Sequence, residues 1–287
     1  MKISALVVRS VFVASFVATF VASSAQALPL FGNFPQEFAN DNEAARNFDF
    51  RGIVGISDCS GSLVRFDDSQ DSDAAMVLSN GHCVGMIAPG TVLLNTRSNK
   101  SFTILNQSAK NLGTVTAQKI IYATMTDTDL SLFLLKETFQ NIESKFNIKP
   151  LTLARTAPVV GTNIEVISGY WKRGFSCAIE STVPTLKEAD WTWSDSIRYS
   201  RPGCEVIGGT SGSPVIEAGT RTVIAVNNTV NESGKQCAMN NPCEVAADGT
   251  RFAQKGYGYA QQTFWLYSCR NADGAIDLNT AGCRLPR

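Results

Sequence analysis

From Arg51 onward, the sequence is dominated by short apolar segments separated by polar turns rich in Gly, Asn and Asp. Many short segments of this kind are typical of the strands of all-β sandwiches and barrels. The segments that we interpret as strands are Ile53–Ile56, Ser62–Phe66, Ala75–Ser79, Thr91–Asn95, Ser101–Leu105, Lys119–Tyr122, Leu130–Leu135, Asn163–Ser168, Ser176–Glu180, Ser213–Ile216, Thr222–Val226 and Gly256–Gln261. The sequence therefore predicts an all-β fold.

The N-terminus has the pattern of a secretory signal peptide. Lys2 and Arg9 precede an apolar run over residues 11–21, and small residues then lead to an Ala-Gln-Ala cleavage site that ends at Ala27. The run is shorter than the roughly 20 residues that a membrane-spanning helix needs. We expect a signal peptide over 1–27, a secreted protein (extracellular or periplasmic) and no membrane partner.

Two further boundaries follow from the pattern. Residues 28–50 carry prolines and mixed charge without periodicity, which indicates a lead-in or short pro-segment. Polar residues and a proline interrupt the strand pattern at Glu143–Pro150, so we place a linker near 140–158. The sequence thus predicts an N-terminal β domain over 51–150 and a C-terminal one over 151–287.

The charge of the chain argues against a nucleic-acid partner. Lys and Arg together number 25, as do Asp and Glu. Removal of residues 1–27 takes away Lys2 and Arg9, which leaves 23 basic against 25 acidic residues and a net charge of about −2. Nucleic-acid binding calls for a basic surplus.

All eight cysteines lie in the predicted mature chain: Cys59, Cys83, Cys177, Cys204, Cys237, Cys243, Cys269 and Cys283. An even number of cysteines in an exported protein indicates disulfides, here four, although eight cysteines allow 105 pairings. A zinc site is disfavoured because the chain has no C-x-x-C pair and one histidine. We expect no metal and no cofactor.

His82 is the only histidine, so it is the one candidate for an imidazole base at neutral pH. It follows the apolar segment Met76–Ser79 and a short Asn-Gly turn, which places the ring at the end of a strand. A lone histidine also occurs in purely structural roles. A catalytic role for His82 therefore depends on its partners.

Two further motifs supply such partners. In Val206–Val215, glycines flank Ser211, and their small size allows the amides of Gly209 and Ser211 to converge as in an oxyanion hole. The alternative is an ordinary Gly/Ser-rich turn. Asp129 directly precedes an apolar strand, where a buried carboxylate can orient an imidazole. Asp127 fits the alternative of a turn aspartate equally well.

The combined motifs resemble the trypsin-like (chymotrypsin-type) serine peptidases, whose catalytic residues follow the chain order His, Asp, Ser. The matching segments are Cys59–Leu63, Leu78–Cys83, Asp129–Leu132 and Gly209–Pro214, within a resemblance that covers about residues 51–265. The resemblance implies two six-stranded antiparallel β-barrels with the active site in the cleft between them. The first barrel would supply His82 and Asp129, and the second Ser211.

The resemblance also implies a function. It predicts a secreted serine endopeptidase that acts as a monomer on peptide or protein substrates, with His82, Asp129 and Ser211 as its triad. Two alternatives are a catalytically silent binding protein with the same fold and a secreted adhesin or structural β-protein.

In the family that the chain resembles, the residue six positions before the catalytic serine lies at the base of the primary specificity pocket, and Glu205 corresponds to it here. A carboxylate at this position would favour substrates with Arg or Lys. The alternative is that Glu205 lies on an exposed loop. By the same resemblance, further substrate-binding residues are Val206 beside it, Asn227, Asn228 and Thr229 along the substrate backbone, and Tyr259 on the far wall.

Two departures from the family pattern matter. Thr210 replaces the aspartate that pairs with a new N-terminus in trypsin-type activation, so we expect no such switch, and Ile53–Ile56 is better interpreted as a strand. The serine loop is similar to that of bacterial glutamyl endopeptidases, which read the substrate carboxylate with a histidine near Val226 or Asn227. This chain has no second histidine, which argues against that specificity.

For the disulfides, the resemblance implies Cys59 with Cys83. Cys237 with Cys243 and Cys269 with Cys283 close local loops, which leaves Cys177 for Cys204. Cys204 with Cys237 remains open as an alternative.

Overall fold

The computed structural model describes residues 48–199 and 203–287, so the predicted signal peptide and most of the predicted lead-in segment lie outside the described residues. All described residues belong to one compact unit. The first seven strands are β1 (Ile53–Gly55), β2 (Ser60–Arg65), β3 (Ala74–Ser79), β4 (Val92–Arg97), β5 (Ser101–Leu105), β6 (Asn111–Thr124) and β7 (Leu130–Thr138). Helix α1 (Phe139–Phe146) and β8 (Leu151–Leu153) follow. The remaining elements are β9 (Asn163–Ser168), β10 (Arg173–Glu188), β11 (Trp191–Tyr199), β12 (Pro214–Glu217), β13 (Thr222–Val230), β14 (Cys243–Val245), β15 (Arg251–Phe252), β16 (Gly258–Gln262) and α2 (Trp265–Ser268).

Six of the first seven strands close into an antiparallel barrel in the order β1, β5, β6, β7, β3, β2, and β1 pairs with β2 to complete the ring. Alternate apolar side chains point inward, as the two-residue period of a strand requires. Phe102 and Phe133 meet edge to face at the core, with ring centroids 5.1 Å apart. The predicted all-β class with a closed six-stranded barrel is confirmed.

A second antiparallel ring follows the order β13, β12, β9, β10, β11, β16, and β13 pairs with β16 to close it. Its core includes the fully buried Ile164, Val166, Ile197 and Val215. The fold is thus a pair of six-stranded barrels, as the resemblance implied.

Part of the predicted linker near 140–158 is ordered secondary structure. Thr138 and Asn141 form a capping box at the start of α1, and Phe139 and Ile142 bury its apolar face. β8 pairs in parallel with β2 of the first barrel and with β13 of the second. The segment therefore joins the two barrels through backbone hydrogen bonds.

The hairpin of β10 and β11 extends from the second barrel to the first. The indole Nε1 of Trp191 donates to the carbonyl of Ile87 at 2.9 Å, and that of Trp193 donates to the carbonyl of Met125 at 3.0 Å. These contacts place the tip of the hairpin beside the loops that follow β3 and β6.

The structure contains four disulfides: Cys59–Cys83, Cys177–Cys204, Cys237–Cys243 and Cys269–Cys283. Cys204 thus pairs with Cys177 and not with Cys237. Ile53 begins β1 inside the first barrel, where its backbone N–H donates to the carbonyl of Phe50 at 3.0 Å. In the described ranges, neither helix is long and apolar enough to cross a bilayer.

Candidate active site

The pairing of β3 with β7 brings His82 to Asp129. The strands are antiparallel, with Ser79 opposite Ser131, so the end of β3 lies beside the start of β7. His82 Nδ1 lies 2.6 Å from Asp129 Oδ2, and the His82 backbone N–H donates to Asp129 Oδ1 at 3.0 Å. The Asp129 side chain is completely buried, whereas the His82 side chain is 18% exposed. The carboxylate therefore fixes both the ring and the backbone of His82.

Gly81 makes this close approach possible. A Cβ at Gly81 would collide with the carbonyl oxygen of Thr124 and lie 3.0 Å from Asp129 Oδ1. Only a residue without a side chain fits between the strand end and the carboxylate. Asp127, the alternative to Asp129, has a positive φ of 55° in the preceding turn.

Asn80 connects the aspartate motif to the serine loop. Its side chain is buried, its Nδ2 donates to the carbonyl of Asp129 at 2.8 Å, and its Oδ1 accepts from the backbone N–H of Gly212 at 2.6 Å. Sequence analysis did not single out Asn80. The available signal was a polar residue between an apolar strand and the only histidine.

Ser211 reaches the same place from the second barrel. Its carbonyl accepts from the backbone N–H of Ser60 at 2.7 Å, which ties it to β2. Its Oγ donates to the carbonyl of Asn228 at 3.3 Å. Within the described ranges, no hydrogen bond joins Ser211 Oγ to His82. Ser211 is thus hydrogen-bonded to the first barrel through its backbone and to the second through its side chain.

The amides predicted to form an oxyanion hole have no acceptor among the residues that the structure describes. The backbone N–H groups of Gly209 and Ser211 donate to no acceptor in the described part of the chain. Their neighbours do: Thr210 donates to the carbonyl of Ile207 at 3.0 Å, and Gly212 donates to the carbonyl of Asn227 at 3.0 Å. Two donors near Ser211 therefore remain available to a ligand.

The predicted substrate-binding residues have different environments. Glu205 is exposed, as in the alternative interpretation, whereas Val206 is buried in the core of the second barrel. Tyr259 is completely buried and its hydroxyl donates to Glu244 Oε1 at 3.1 Å, so its ring belongs to the protein interior. Glu205, the predicted pocket base, thus faces solvent, whereas Tyr259, the predicted far wall, is enclosed by the protein.

The three residues of β13 lie next to the serine loop. Asn227 Nδ2 donates to the carbonyl of Thr210 at 3.0 Å, and its Oδ1 accepts from the Tyr199 hydroxyl. The Asn228 side chain is buried, and neither of its polar atoms has a hydrogen-bond partner among the described residues. Thr229 Oγ1 donates to the side-chain carboxylate of Glu188 in β10. The side chains of Asn227 and Thr229 are therefore engaged within the protein.

Glu188, the last residue of β10, was not predicted from the sequence as a site residue. Its Oε2 accepts from Thr229 Oγ1 at 2.6 Å, and its Oε1 accepts from the backbone N–H of Asn240 at 2.7 Å. Burial raises the pKa of Glu188 to about 7, against the opposing effects of these two hydrogen bonds and of His82. The negative charge of Glu188 in turn raises the pKa of His82.

Several effects set the protonation of His82. Burial lowers its pKa, but the charge and hydrogen bond of Asp129 outweigh it, and Glu188 and Asp58 add smaller contributions in the same direction. The net result is a pKa raised above the usual value of 6.5. The imidazole is therefore a stronger base than a free histidine.

The same region contains one cluster of metal-ligand atom types. The Sγ atoms of Cys59 and Cys83 and a ring nitrogen of His82 lie within 4.8 Å of one another. The two sulfurs form a disulfide, so they cannot act as thiolate ligands.

A protein-family comparison matches the part of the chain that contains His82, Asp129 and Ser211. The profile of the trypsin-like peptidase domain matches residues 59–226, which is more than half of the chain and includes all three motifs. The chain belongs to the trypsin-like peptidase family. No curated protein sequence matches it.

Solved structures with similarity to this trypsin-like peptidase include three proteases. The MamO protease domain from Magnetospirillum magneticum has 12% identity and a TM-score of 0.45, over 75% of this chain and 94% of that chain. Cellulomonas bogoriensis chymotrypsin has 14% identity and a TM-score of 0.41, over 75% of this chain and 90% of that chain. Nocardiopsis protease has 14% identity and a TM-score of 0.43, over 75% of this chain and 92% of that chain.

The space at Gly81 in this peptidase yields a stability prediction. Gly81→Ala should lower the free energy of unfolding by about 1–3 kcal/mol, because the added methyl group forces the Thr124 carbonyl and Asp129 apart. The matched control is Gly85→Ala, since a Cβ there meets nothing within 4 Å. Denaturant unfolding of both variants measures the difference. Equal stability of the two variants would contradict the close approach.

The environment of His82 in this peptidase yields a second prediction. Because the chain has one histidine, the imidazole Hε1 resonance of His82 can be followed with pH without overlap from another histidine. We expect a pKa above 6.5, and a lower pKa in Glu188→Gln because a nearby negative charge is removed. Glu180→Gln, on the exposed part of the same strand, should leave the pKa unchanged. An identical titration in Glu188→Gln would contradict the coupling.

Proposed function

We propose that this chain is an exported serine endopeptidase that cleaves peptide or protein substrates through Ser211, His82 and Asp129. The observation that carries the proposal is the double contact of a fully buried Asp129 carboxylate with His82, beside a serine loop with two available amides. An isolated buried carboxylate is costly unless it is hydrogen-bonded or paired. The arrangement is the one that a general base requires.

The proposed reaction is acyl transfer. Ser211 Oγ attacks the peptide carbonyl carbon while His82 Nε2 accepts the hydroxyl proton, and His82 then returns the proton to the leaving amine. Water repeats the sequence to release the acyl group. Asp129 holds the proton on Nδ1, so that Nε2 is free to accept, and it stabilises the imidazolium.

Charge that develops on the carbonyl oxygen also needs stabilisation. The backbone N–H groups of Gly209 and Ser211 are the proposed donors, because neither is used elsewhere in the described residues. The raised pKa of His82 assists proton uptake during attack and places the acid limb of the activity profile above pH 6.5.

Export agrees with the four disulfides, since such bonds persist in oxidising compartments. Together with the signal sequence predicted over residues 1–27, they support an extracellular or periplasmic location. The proposal includes a monomer without membrane or nucleic-acid partners.

One observation favours the alternative of a catalytically silent binding protein. Ser211 Oγ donates to Asn228 and not to His82. Catalytic hydrogen bonds are often long or misaligned before substrate binds, so the observed orientation of the serine side chain is compatible with the proposed triad. A silent protein would bind peptides without cleaving them.

The nucleophile is tested by Ser211→Ala. We expect kcat/KM for peptide cleavage to fall by at least about 10⁴-fold, because the attacking oxygen is lost, with unfolding unchanged. The matched control is Ser213→Ala, two residues away, whose buried hydroxyl has no partner among the described residues. That control should keep activity within about threefold of the unmodified protein. Cleavage by Ser211→Ala at the unmodified rate would disprove the proposal.

A preference for Arg or Lys on the acyl side is the finer part of the proposal. It rests on the position of Glu205, which is exposed, so solvent will screen its charge. In a peptide-library assay, Glu205→Gln should lower kcat/KM for basic substrates by up to about tenfold, with a smaller effect at high salt. Glu217→Gln, on an exposed position of β12, is the control. A cleavage profile without basic preference, or one unaffected by Glu205→Gln, would refute this role.

A further inference from the structure

Trp171 makes a directed contact with the serine loop. It lies in the turn after β9, and its indole Nε1 donates to the carbonyl of Gly208 at 2.8 Å. Gly208 immediately precedes Gly209, one of the two proposed oxyanion donors. Trp171 thus holds the same peptide unit that carries the Gly209 N–H.

The loop at this point is a turn over Ile207–Thr210. The Thr210 N–H donates to the Ile207 carbonyl at 3.0 Å, and Gly209 has a φ of +84°. A positive φ at the third residue, with the second residue Gly208 outside the positive-φ region, defines a type II turn, whereas a type I turn has a negative φ at the third residue. The two turn types differ in the direction of their central peptide, which here joins Gly208 to Gly209.

A planar trans peptide points its C=O and N–H in opposite directions. The hydrogen bond from Trp171 to the Gly208 carbonyl therefore also fixes the direction of the Gly209 N–H. The type I alternative would rotate that carbonyl away from the indole and turn the N–H with it. Because two glycines flank the peptide, their own backbone preferences do little to prevent this rotation.

The aromatic rings also pack closely on the turn. A Cβ at Gly209 would lie 2.9 Å from Trp171 Nε1 and 3.0 Å from Tyr170 Cδ1. The rings of Tyr170 and Trp171 meet edge to face, with centroids 4.9 Å apart. Glycine is thus required at this position both by φ and by the neighbouring rings.

Trp171 is itself held by buried hydroxyl groups. Its backbone N–H donates to Ser168 Oγ at 3.2 Å, and that of Tyr170 donates to Ser60 Oγ at 3.1 Å. The two hydroxyls are hydrogen-bonded to each other at 3.0 Å. Ser60 also binds the Ser211 carbonyl through its backbone N–H. The turn that carries Trp171 and the nucleophile loop are therefore both hydrogen-bonded to Ser60.

We propose that Trp171 is a positioning residue that keeps the Gly209 N–H directed at the substrate carbonyl oxygen by holding the Gly208 carbonyl. This inference rests on the proposed peptidase function and deepens it. Loss of the indole donor would let the central peptide rotate, and the rotated peptide would present a carbonyl oxygen where an N–H donor is needed.

Trp171→Phe tests the role in catalysis, because phenylalanine keeps an aromatic ring but has no N–H. We expect kcat for a peptide substrate to fall by about 10- to 100-fold with KM changed less than threefold, since the affected interaction forms with the developing oxyanion. The matched control is Trp191→Phe, whose indole also donates to a backbone carbonyl, that of Ile87. The control should retain its kcat. An unchanged kcat in Trp171→Phe would overturn the inference.

A second readout is independent of catalysis. In ¹⁵N-labelled protein, the amide signals of Gly208 and Gly209 should broaden or double in Trp171→Phe, because the peptide then populates two orientations, and stay single in Trp191→Phe. Unchanged signals in Trp171→Phe would overturn the inference even if the protein had no activity. Doubled signals in an inactive protein would support the positioning role while rejecting the proposed function.

Discussion

The side chain of Asn80 makes the two hydrogen bonds on which the arrangement of the site depends. One reaches the carbonyl of Asp129 at the start of β7, and the other reaches the amide of Gly212 in the serine loop. The Nδ2 of Asn80 thus satisfies a backbone carbonyl of the aspartate motif, and its Oδ1 satisfies a backbone N–H of the serine loop. A buried polar group left unpaired would cost about 1–3 kcal/mol, so both partners favour the assembled state.

Ser60 provides a second connection of the same kind. Its backbone N–H binds the Ser211 carbonyl, its hydroxyl binds the turn before Trp171, and its carbonyl accepts from Ser79 Oγ at 2.7 Å. The neighbouring Cys59 is bonded to Cys83, next to His82. The Cys83 neighbour of the base, the nucleophile loop and the turn that carries Trp171 are therefore all bonded at or next to the first residue of β2.

The sequence predicted the elements whose environment depends on local pattern. His82 was expected at the end of an apolar strand and Asp129 was expected to be buried just before another, and antiparallel pairing brings the two together. The helix α1 was missed because its capping box uses Asn141 where Glu or Gln is usual. The strand β11 was missed although Trp191, Trp193, Ile197 and Tyr199 occupy alternate positions, because Ser and Asp interrupt the apolar pattern.

The pocket was less predictable because it depends on which way side chains face. A register shift in β13 between Asn227 and Thr229 changes the alternation of faces at the residues nearest Ser211. Sequence spacing alone does not reveal such a shift. Glu188 and Trp171 act through contacts between segments far apart in the chain, which leave no local pattern.

Covalent labelling provides a direct test of the activation of Ser211 by His82. Purified protein is treated with a fluorophosphonate over a range of pH, and the adduct is located by peptide mass spectrometry. We expect one phosphonyl group, on Ser211, with a labelling rate that rises with pH through a midpoint above 6.5 and with no adduct in the denatured protein. An unlabelled Ser211 in the folded protein, or a rate equal to that of the denatured chain, would contradict it.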